Sequence, residues 1–364
     1  MVQDAPISRV SARSFRIPTD APEADGTIAW NATTLVVAEI EAGGRTGIGY
    51  TYADDACCRI INGVLADRVL GASPMDVPSL WMAMVGAVRN IGWRGVCACA
   101  ISAVDTALWD VKARLLDVAL AGLLGCERQR VPVYGSGGFT SYSIDRLREQ
   151  MRGWVERDGC CWVKMKVGTD PGADLSRVEA VRGAIGSADL YVDANGAYER
   201  KQALGFAVNF ADLGVTWFEE PVSSDDLSGL RLLRDRAPPA MEIAAGEYGY
   251  EPFYFRRMLE AGAVDVLQAD ATRCGGYTGF LKAAALADAW GLPLSAHTAP
   301  ALHLPVCCAA PRLRNLEWFY DHARIEALLF DGAPRICDGA VSAQVDRPGH
   351  GLTFKEQDAQ RLAA

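Results

Sequence analysis

The sequence predicts an α/β fold, in which a TIM-type (β/α)7β barrel follows an N-terminal α+β unit. From about residue 131, short apolar segments alternate with amphipathic helical segments, as they do around a parallel sheet. Eight apolar segments occur, and eight is the number of strands that closes a TIM-type barrel. The first third of the chain instead places strand-like segments before helical ones, which indicates an antiparallel sheet with helices and therefore a separate unit.

The N-terminal unit is assigned to residues 1–128 and begins with three segments of strand character. These segments are "ISRVSARSFRI", "TTLVVAEIEA" and "RTGIGYTY", and a Gly43-Gly44 turn joins the second to the third. The longest helical pattern follows at residues 94–117, where small and apolar residues recur at helical spacing. Residues 18–31, "PTDAPEADGTIAWN", are rich in Pro, Asp and Gly, so we expect no regular structure there.

The barrel is assigned to residues 129–330. Its eight strands are expected at the segments "VPVYGSGG", "WVKMKVG", "DLYVDAN", "TWFEEP", "EIAAGE", "VDVLQAD", "LPLSAHT" and "NLEWFY". Helical segments such as "DLSRVEAVRGAIG" and "GFLKAAALADAWG" separate them. Residues 331–364 are too few for a domain of their own, so we expect this C-terminal tail to pack back on the N-terminal unit.

Composition argues against several classes of protein. The chain of 364 residues carries a net charge of −9 and no basic stripe, which argues against a nucleic-acid partner. Its start lacks the basic and apolar regions of a signal peptide, and no uncharged apolar run approaches the ~20 residues of a membrane span. The eleven cysteines include three adjacent pairs and no C-x-x-C motif, which argues against a zinc ribbon or a disulfide scaffold. We therefore expect a cytoplasmic protein without a membrane partner.

Polar residues end seven of the eight predicted barrel strands. In chain order they are Lys166, Asp193, Glu219, Glu247, Asp270, His297 and Glu317. Successive members are 20 to 28 residues apart, which is one strand and one helix each time. Scattered surface charges would not recur with the period of the fold. We therefore expect all seven side chains to meet at the C-terminal mouth of the barrel, where the active sites of such barrels lie.

The segment "WVKMKVG" places two lysines in an otherwise apolar strand. Side chains alternate along a strand, so Val163, Met165 and Val167 should face the outer helices, while Lys164 and Lys166 point into the barrel. Two ammonium groups buried side by side should lower the pKa of at least one of them. A lysine perturbed in this way can serve as a base.

Three carboxylates on consecutive strands predict a metal site. Asp193, Glu219 and Glu247 together offer the oxygen ligands that a hard divalent cation prefers, and Mg²⁺ is the expected ion. The alternative is that these carboxylates pair with arginines. Asn195 shares a strand face with Asp193 and is expected to orient that ligand. Periodicity alone does not separate Glu219 from its neighbour Glu220.

A histidine and an acid end two neighbouring strands. Asp270 could fix the tautomer of the His297 ring and raise its basicity. Lys166 belongs to the second strand and His297 to the seventh, so they should lie on opposite sides of the mouth. A substrate between them could lose a proton on one face and gain one, or lose a leaving group, on the other. The remaining histidines, which lie off the strand ends and are expected to be structural, are His303, His322 and His350.

The motifs "VKMKVG", "VDAN", "WFEEP", "AAGE", "QAD", "SAHT" and "NLEW" together resemble the enolase superfamily. Within it, the chain resembles the mandelate racemase subgroup (mandelate racemase/muconate lactonizing enzyme-like). The resemblance covers nearly the whole chain, and it implies that the N-terminal unit is a capping domain completed by the C-terminal tail. It also implies one Mg²⁺ per active site and removal of the α-proton of a carboxylate substrate through an enolate intermediate.

The resemblance also implies a role for each strand-end residue. Lys166 would be the base on one face of the substrate, and His297 with Asp270 would be the acid or base on the other. Lys164 would contact the substrate carboxylate and lower the pKa of its partner, and Glu317 would donate a hydrogen bond to that carboxylate. The residues implied to hold Mg²⁺ are Asp193, Glu219 and Glu247.

Substrate selection is expected at the capping loops and the barrel rim. The candidates there are Trp30, Asn31, Tyr50, Thr51, Tyr52, Tyr248 and Arg273, with Asn195, Lys164 and Glu317 below them. These side chains can hydrogen-bond hydroxyl groups and stack on a ring, which favours a small hydroxy acid as the substrate. We also expect a homo-oligomer.

Several reactions are compatible with this site. The resemblance favours an acid-sugar dehydratase, with a racemase or epimerase of a 2-hydroxy acid as the alternative. Dehydration needs an acid for the β-hydroxyl, which His297 could supply, whereas racemisation needs only the two bases. A non-catalytic barrel is a distant alternative, and a metal-dependent hydrolase would normally use a His-x-His pair, which the sequence lacks.

Overall fold

The computed structural model describes residues 5–363. The strands are β1 (Ile7–Ala24), β2 (Ala29–Ala42), β3 (Arg45–Tyr52), β4 (Arg130–Gly137), β5 (Trp162–Lys166), β6 (Asp189–Asp193), β7 (Val215–Glu219), β8 (Glu242–Ala245), β9 (Val266–Ala269), β10 (Leu294–Ala296), β11 (Leu313–Phe319), β12 (Phe330–Asp331), β13 (Ala340–Ser342) and β14 (Thr353–Phe354). The helices are α1 (Ala56–Ile60), α2 (Ala66–Val69), α3 (Val77–Ala87), α4 (Val96–Leu116), α5 (Leu120–Leu124), α6 (Ile144–Glu156), α7 (Pro171–Arg182), α8 (Arg200–Asp212), α9 (Leu227–Arg236), α10 (Pro252–Glu260), α11 (Gly276–Trp290), α12 (Pro300–Ala309), α13 (Tyr320–Leu329) and α14 (Glu356–Ala359). A π-helical turn, Ile61–Leu65, joins α1 to α2.

The N-terminal unit is a three-stranded antiparallel sheet covered by α4. The strand order is β1-β2-β3, and the three predicted segments form its strands. Helix α4 approaches β3 so closely that a Cβ atom at Gly49 would lie 2.1 Å from the carbonyl oxygen of Ala103. A glycine is therefore required at this point of the strand, because any side chain would push the helix away.

The prediction that residues 18–31 lack regular structure is wrong. Strand β1 continues to Ala24, and β2 already begins at Ala29. The pairing with β2 shifts register between Pro18 and Glu23, where the prolines interrupt it. Strand β1 is an edge strand of its sheet, and an edge strand can contain proline because its outer N–H groups bond no neighbour.

The barrel contains all eight predicted strands. Strands β4 to β11 are parallel and follow chain order, and pairing of β11 with β4 closes the ring. The predicted fold class, a TIM-type barrel with an N-terminal α+β unit, is therefore confirmed. Within residues 5–363, every helix falls short of the length or apolar character that a bilayer span requires.

The barrel has an apolar layer outside its strands and a filled interior below its mouth. Val163, Met165 and Val167 are fully buried in the layer between strands and helices. Tyr191 and Trp217 fill the lower interior, with stacked rings whose centroids are 4.8 Å apart. These rings fill the lower interior, and the polar residues at the strand ends lie above them at the C-terminal mouth.

The C-terminal tail contacts both the barrel and the N-terminal sheet. Strand β13 pairs antiparallel with the start of β4, and β14 pairs with β12. The Phe354 ring lies 5.3 Å from that of Phe15 in β1, and His350 Nε2 lies 2.8 Å from the carbonyl oxygen of Ile48 in β3. The tail thus contacts the N-terminal unit, while the assignment of the domains and of the tail, divided at residues 128 and 330, stays a prediction.

Candidate active site

The structure brings the seven strand-end residues together at the barrel mouth. Each of them is at most 5 % exposed. Three of them end β5, β6 and β7, three follow β8, β9 and β10 within two residues, and one lies within β11. Ser136 on β4 adds a polar group that the sequence analysis missed, and its hydroxyl donates to Glu317 Oε1 at 2.6 Å. All eight strands therefore contribute a polar side chain.

Both lysines point into the barrel and bind carboxylates there. Lys164 Nζ lies 2.5 Å from Glu219 Oε1 and 3.0 Å from Glu317 Oε1. Lys166 Nζ lies 2.5 Å from Asp193 Oδ2. Burial lowers the pKa of each ammonium. However, Glu219 and Glu317 raise the pKa of Lys164, and Asp193 raises the pKa of Lys166, so both lysine pKa values are raised overall. The expected lowering of a lysine pKa is therefore not found, because the carboxylates outweigh the effect of burial and of the second lysine.

The three predicted metal ligands form one buried acidic cluster, which we call the acidic triad: Asp193, Glu219 and Glu247. Their ligand oxygens all lie within 4.8 Å of one another. Burial and the nearby Asp193 raise the pKa of Glu219 to about 8. Such crowding of buried carboxylates is unfavourable without a cation, and the all-oxygen donor set suits a hard ion such as Mg²⁺.

Individual contacts of the acidic triad support this fit. The backbone N–H of Asn195 donates to Asp193 Oδ1 at 2.9 Å, and the Trp217 indole donates to Glu219 Oε2 at 3.0 Å. Glu247 Oε2 lies 3.1 Å from His297 Nε2, in an ion-pair contact without hydrogen-bond geometry. Arginine partners were the alternative to a metal. Within residues 5–363, only Glu247 of the triad has one, with its Oε1 3.2 Å from Arg273 Nη1.

The structure also separates the two adjacent glutamates of β7. Glu219 points at Lys164, whereas Glu220 turns away with a φ of 36° and leaves the strand. Glu220 is buried, and burial together with Glu247 raises its pKa well above the ordinary range.

His297 is held by three carboxylates. Its Nδ1 lies 2.8 Å from Asp270 Oδ2, and its Nε2 lies 3.1 Å from Glu247 Oε2 and 3.7 Å from Glu317 Oε2. Burial disfavours the charged ring, but Glu247, Glu317 and Asp270 outweigh it and raise the pKa of His297 to about 10. The ring is therefore an imidazolium that can donate a proton towards the cavity.

Glu317 is an ionised carboxylate in this network. Burial raises its pKa, but Lys164 and His297 together bring that pKa down to about 2. An ionised carboxylate accepts hydrogen bonds and does not donate them. A donor role for Glu317 would therefore require this carboxyl to be protonated, and that role stays a prediction.

A cavity of about 390 Å³ lies above these groups, between the barrel and the N-terminal unit. Of the predicted mouth residues, Lys166, Glu247 and His297 line it. Of the predicted substrate-binding residues, those that line it are Trp30, Tyr52, Asn195, Tyr248 and Arg273. Lys164 and Glu317 lie fully buried below the cavity, so their contact with a substrate stays a prediction.

Three further residues named for the capping loops do not line the cavity. The Tyr50 hydroxyl donates to Glu326 Oε1 at 2.5 Å, and the Thr51 hydroxyl donates to the carbonyl oxygen of Thr272 at 2.8 Å. Both bonds join the N-terminal unit to the barrel. Asn31 is absent from the residues that surround the cavity in the described part of the chain.

A turn of the N-terminal unit rests directly on the barrel mouth. Asp25 Oδ1 accepts hydrogen bonds from the backbone N–H groups of Thr27 and Ile28, at 2.6 and 2.8 Å. At Gly26, a Cβ atom would lie 2.3 Å from the carbonyl oxygen of Ala194 and 2.7 Å from that of Val167. The turn therefore covers the ends of β5 and β6, beside Lys166 and Asp193.

Sequence reasoning missed His322 as a cavity residue. The ring lies parallel to that of Tyr52, with centroids 3.5 Å apart, and both rings line the cavity. Burial lowers the pKa of His322 well below its usual range, so the ring is neutral. His322 lies on α13, after the last barrel strand, and only the three-dimensional contact brings it to the mouth. By contrast, His303 lies below the mouth, where its Nε2 accepts the Ala271 N–H at 2.7 Å.

Two sequence models of protein families match the chain. Residues 13–125 match the N-terminal domain of mandelate racemase and muconate lactonizing enzyme, and residues 146–359 match the enolase C-terminal domain-like family. A relative of known activity is 3,6-anhydro-alpha-L-galactonate cycloisomerase from Streptomyces coelicolor. It is 33 % identical over 368 residues, which cover 98 % of this chain and 99 % of the relative.

Solved structures of similar proteins agree with these matches. A mandelate racemase/muconate lactonizing enzyme-like protein from Rubrobacter xylanophilus superposes with a TM-score of 0.96 at 49 % identity, over 99 % of this chain and all of that chain (100 %). L-talarate/galactarate dehydratase from Salmonella typhimurium, liganded with Mg and L-lyxarohydroxamate, gives a TM-score of 0.90 at 30 % identity, over 99 % of this chain and 93 % of that chain. The chain therefore belongs to the enolase superfamily, in its mandelate racemase/muconate lactonizing enzyme group.

Proposed function

We propose that the chain is a Mg²⁺-dependent dehydratase of an acid sugar. The observation that carries this proposal is that Lys166 and His297 open into one cavity from different sides of the barrel. Lys166 ends β5 and His297 follows β10, so three strand steps separate them in one direction and five in the other. The acidic triad lies on the intervening strands. A substrate above the triad can therefore be approached by a base and by an acid at once.

The acidic triad would hold the metal ion, since Asp193, Glu219 and Glu247 present their oxygens within one small space. When bound, Mg²⁺ supplies positive charge that stabilises the negative charge developing on the substrate carboxylate as the α-proton leaves. Lys164 lies immediately below, where its ammonium adds positive charge to the same region. Glu317 forms an ion pair with Lys164 and accepts a hydrogen bond from the Ser136 hydroxyl.

Lys166 would take the α-proton. Its ammonium is kept protonated by Asp193, so it becomes a base only when that carboxylate is engaged elsewhere as a metal ligand. The neighbouring Lys164 then disfavours a second positive charge. Lys166 is the lysine of the pair that lines the cavity, which supports its selection as the base.

His297 would act as the acid on the other side. After the α-proton has been lost, the C3–O bond of the substrate would break, and the imidazolium of His297 would protonate the departing hydroxyl to give water. The enol that is left becomes a 2-keto acid. Asp270 holds the ring through Nδ1 and leaves Nε2 turned to the cavity side. The activities of the relatives support α-proton chemistry over hydrolysis or a non-catalytic barrel.

A racemase or epimerase of a 2-hydroxy acid would use the same two groups without a leaving group. It would require His297 to work as a base in one direction, which the three carboxylates around the ring oppose. We further propose a small hydroxy acid as the partner and a cytoplasmic homo-oligomer as the working form. The free thiols of all eleven cysteines support a reducing compartment.

The proposal is tested by screening acid sugars in D₂O with Mg²⁺ present. Wild type should convert a member of the library into a 2-keto acid, detected as its semicarbazone, and NMR should follow deuterium at the α-carbon. His297→Asn should lose turnover yet still exchange the α-proton presented to Lys166, because that base remains. Lys166→Ala should lose both turnover and α-proton exchange, because the protonated ring of His297 cannot accept that proton.

The matched control is Lys201→Ala, which removes an exposed lysine of α8 and should leave turnover unchanged. Interconversion of epimers without keto acid would identify a racemase. Exchange of the α-proton in Lys166→Ala would contradict the assignment of Lys166 as the base, and formation of keto acid by His297→Asn at the wild-type rate would contradict the assignment of His297 as the acid.

A further inference from the structure

The part of the N-terminal unit that covers the cavity carries negative charge only. Residues 17–44 and 46–58 contain no lysine, arginine or histidine. Two of their carboxylates, Asp25 and Asp54, line the cavity. Any group of the substrate that points away from the barrel floor therefore meets a surface without a positive charge.

The cationic side chains of the cavity lie on the barrel side, beside the acidic triad. Among residues 5–363, Lys166 and Arg273 are the only lysine and arginine that line the cavity. Lys166 binds Asp193, and Arg273 Nη1 lies 3.2 Å from both the carbonyl oxygen and Oε1 of Glu247. The Arg273 guanidinium also lies against the Tyr248 ring, 5.2 Å from its centroid, which holds it at the rim.

Two other arginines bind residues 17–44 or their neighbours, but they do so outside the cavity. Arg324 binds Asp321 at 2.5 Å and the carbonyl oxygen of Pro18 at 2.8 Å. Arg146 binds Asp20 at 3.3 Å and stacks on a tyrosine ring. Neither arginine belongs to the cavity wall. If either arginine turned to bind a ligand in the cavity, it would lose its contact with Pro18 or Asp20, which holds residues 17–44 in place.

Apart from Asp25 and Asp54, the upper cavity wall is apolar, aromatic or neutral. Trp30, Phe319 and the stacked pair of Tyr52 and His322 supply ring surfaces. Thr34 offers a hydroxyl, and Asn195 offers an amide whose Oδ1 finds no hydrogen-bond donor within residues 5–363. Such a wall suits hydroxyl groups and the C–H face of a sugar, whereas a carboxylate there would be desolvated beside like charges.

From this arrangement we propose that the substrate is a monocarboxylic acid sugar with an uncharged distal half, and not a dicarboxylic one. Its single carboxylate faces the acidic triad and the lysines, and its distal hydroxyl groups or ring face the upper wall. This inference rests on the proposed function and narrows it to one of the two classes of acid sugar.

The first experiment compares matched pairs of acid sugars. Each pair consists of an aldonic acid and the aldaric acid with the same configuration at its four inner carbons, and kcat/KM is measured for both with Mg²⁺ present. The monoacid of the best pair should be preferred by about tenfold or more, because placing a carboxylate beside like charges is unfavourable. A diacid with equal or higher kcat/KM would overturn this inference and leave the dehydratase proposal intact. Absence of turnover and of α-proton exchange throughout the library would overturn both.

The second experiment introduces a positive charge on the part of the N-terminal unit that lines the cavity. Ile28 lines the cavity and is 64 % exposed, so a long side chain can replace it without disturbing the core. Ile28→Arg should shift the ratio of diacid to monoacid kcat/KM towards the diacid by about tenfold. Ile28→Gln, a neutral polar replacement, should leave the ratio near that of wild type. An equal shift in both variants would mean that space, and not charge, excludes the diacid, which would contradict the inference.

Discussion

At the level of single residues, the polar side chains of the barrel mouth hold one another in place. Lys164 joins two strands by binding Glu219 and Glu317, and His297 joins Asp270 to Glu247. Each charge is therefore compensated by a neighbour, and removing one member leaves another buried without its partner. Such removal costs several kcal/mol for a fully buried pair, so neutral isosteres are the appropriate substitutions.

The acidic triad yields the first prediction. Glu219→Gln and Glu247→Gln each remove one carboxylate ligand, and each should weaken Mg²⁺ binding by about tenfold or more and abolish turnover. Calorimetric titration with MgCl₂ measures the affinity, and circular dichroism checks the fold. Glu242→Gln is the control, because Glu242 lies at the opposite end of β8 and binds Arg314. Unchanged affinity in Glu219→Gln or Glu247→Gln would contradict the metal assignment.

The sequence could predict which residues meet at the mouth, but not their charge states. The regular spacing from Lys166 to Glu317 reflects the repeat of the fold, so their common location follows from chain order alone. The pKa values of Lys164 and His297 depend on distances of 2.5 to 3.7 Å across the barrel, which no pattern in the chain contains. His322 was missed for a similar reason, since it lies on a helix beyond the strand end.

At the level of elements, the contact between the 25–28 turn and the ends of β5 and β6 determines how the cavity is covered. Gly26→Ala should lift this turn, because the added methyl group would lie 2.3 Å from a backbone oxygen. Misplacing groups at an active site by about 1 Å can lower the rate about 100-fold, so kcat/KM should fall severely while the barrel stays folded.

The control for this prediction is Gly86→Ala on α3, where a Cβ atom meets no neighbour within 4 Å. That variant should keep its kcat/KM and have an equal or slightly higher Tm, because alanine favours a helix over glycine. Steady-state kinetics and thermal unfolding of both variants provide the comparison. Wild-type kinetics in Gly26→Ala would show that the turn does not cover the reacting substrate.

The contact between α4 and α11 should make stability depend on pH. Burial raises the pKa of Asp105 from 3.8 to about 7, while both of its oxygens accept hydrogen bonds from Thr278, at 2.6 and 2.9 Å. Since the folded state binds this proton more tightly than the unfolded state, Asp105 makes stability fall as pH rises from about 3.8 to about 7.

Asp105→Asn should remove this part of the pH dependence. Urea unfolding measures the free energy of unfolding at pH 5 and at pH 8. Between these two pH values, the free energy of unfolding should fall by on the order of 2 kcal/mol more in wild type than in the variant. Asp212→Asn, an exposed substitution at the end of α8, should retain the wild-type difference. Parallel pH profiles of wild type and Asp105→Asn would mean that Asp105 does not titrate there.

The barrel strands could be predicted from their apolar runs because each one is short, buried and followed by a polar residue. Residues 18–31 could not, because their local composition favours a loop while their pairing with β2 makes them strand. That pairing is a contact with a neighbouring strand, and the prolines are tolerated because β1 lies at the sheet edge.

At the level of the whole molecule, Asp110 connects three parts of the chain. It lies on α4 and accepts hydrogen bonds from the backbone N–H groups of Ile48 in β3 and His350 in the tail, both at 2.9 Å. Its carboxylate also lies 2.7 Å from Arg114 Nε. Asp110→Ala should therefore lower the free energy of unfolding by about 3 kcal/mol or more, because two buried donors and one cation lose their partner.

Asp288→Ala is the matched control, since Asp288 also binds an arginine, Arg312, but on the surface with about half of each side chain exposed. That variant should change the free energy of unfolding by less than about 1 kcal/mol. Equal effects of the two substitutions in urea unfolding would show that the connection through Asp110 contributes no more than a surface ion pair.

The return of the tail to the N-terminal sheet also has a consequence for biosynthesis. Strand β1 obtains its Phe354 contact from the opposite end of the chain, about 340 residues later, and ribosomes add about 5–20 residues per second. During synthesis, the N-terminal unit therefore lacks the contact between Phe15 and Phe354 for tens of seconds. The sheet acquires this part of its cover only after residue 354 has been translated, so the N-terminal unit, although made first, completes its packing after every strand of the barrel has been synthesised.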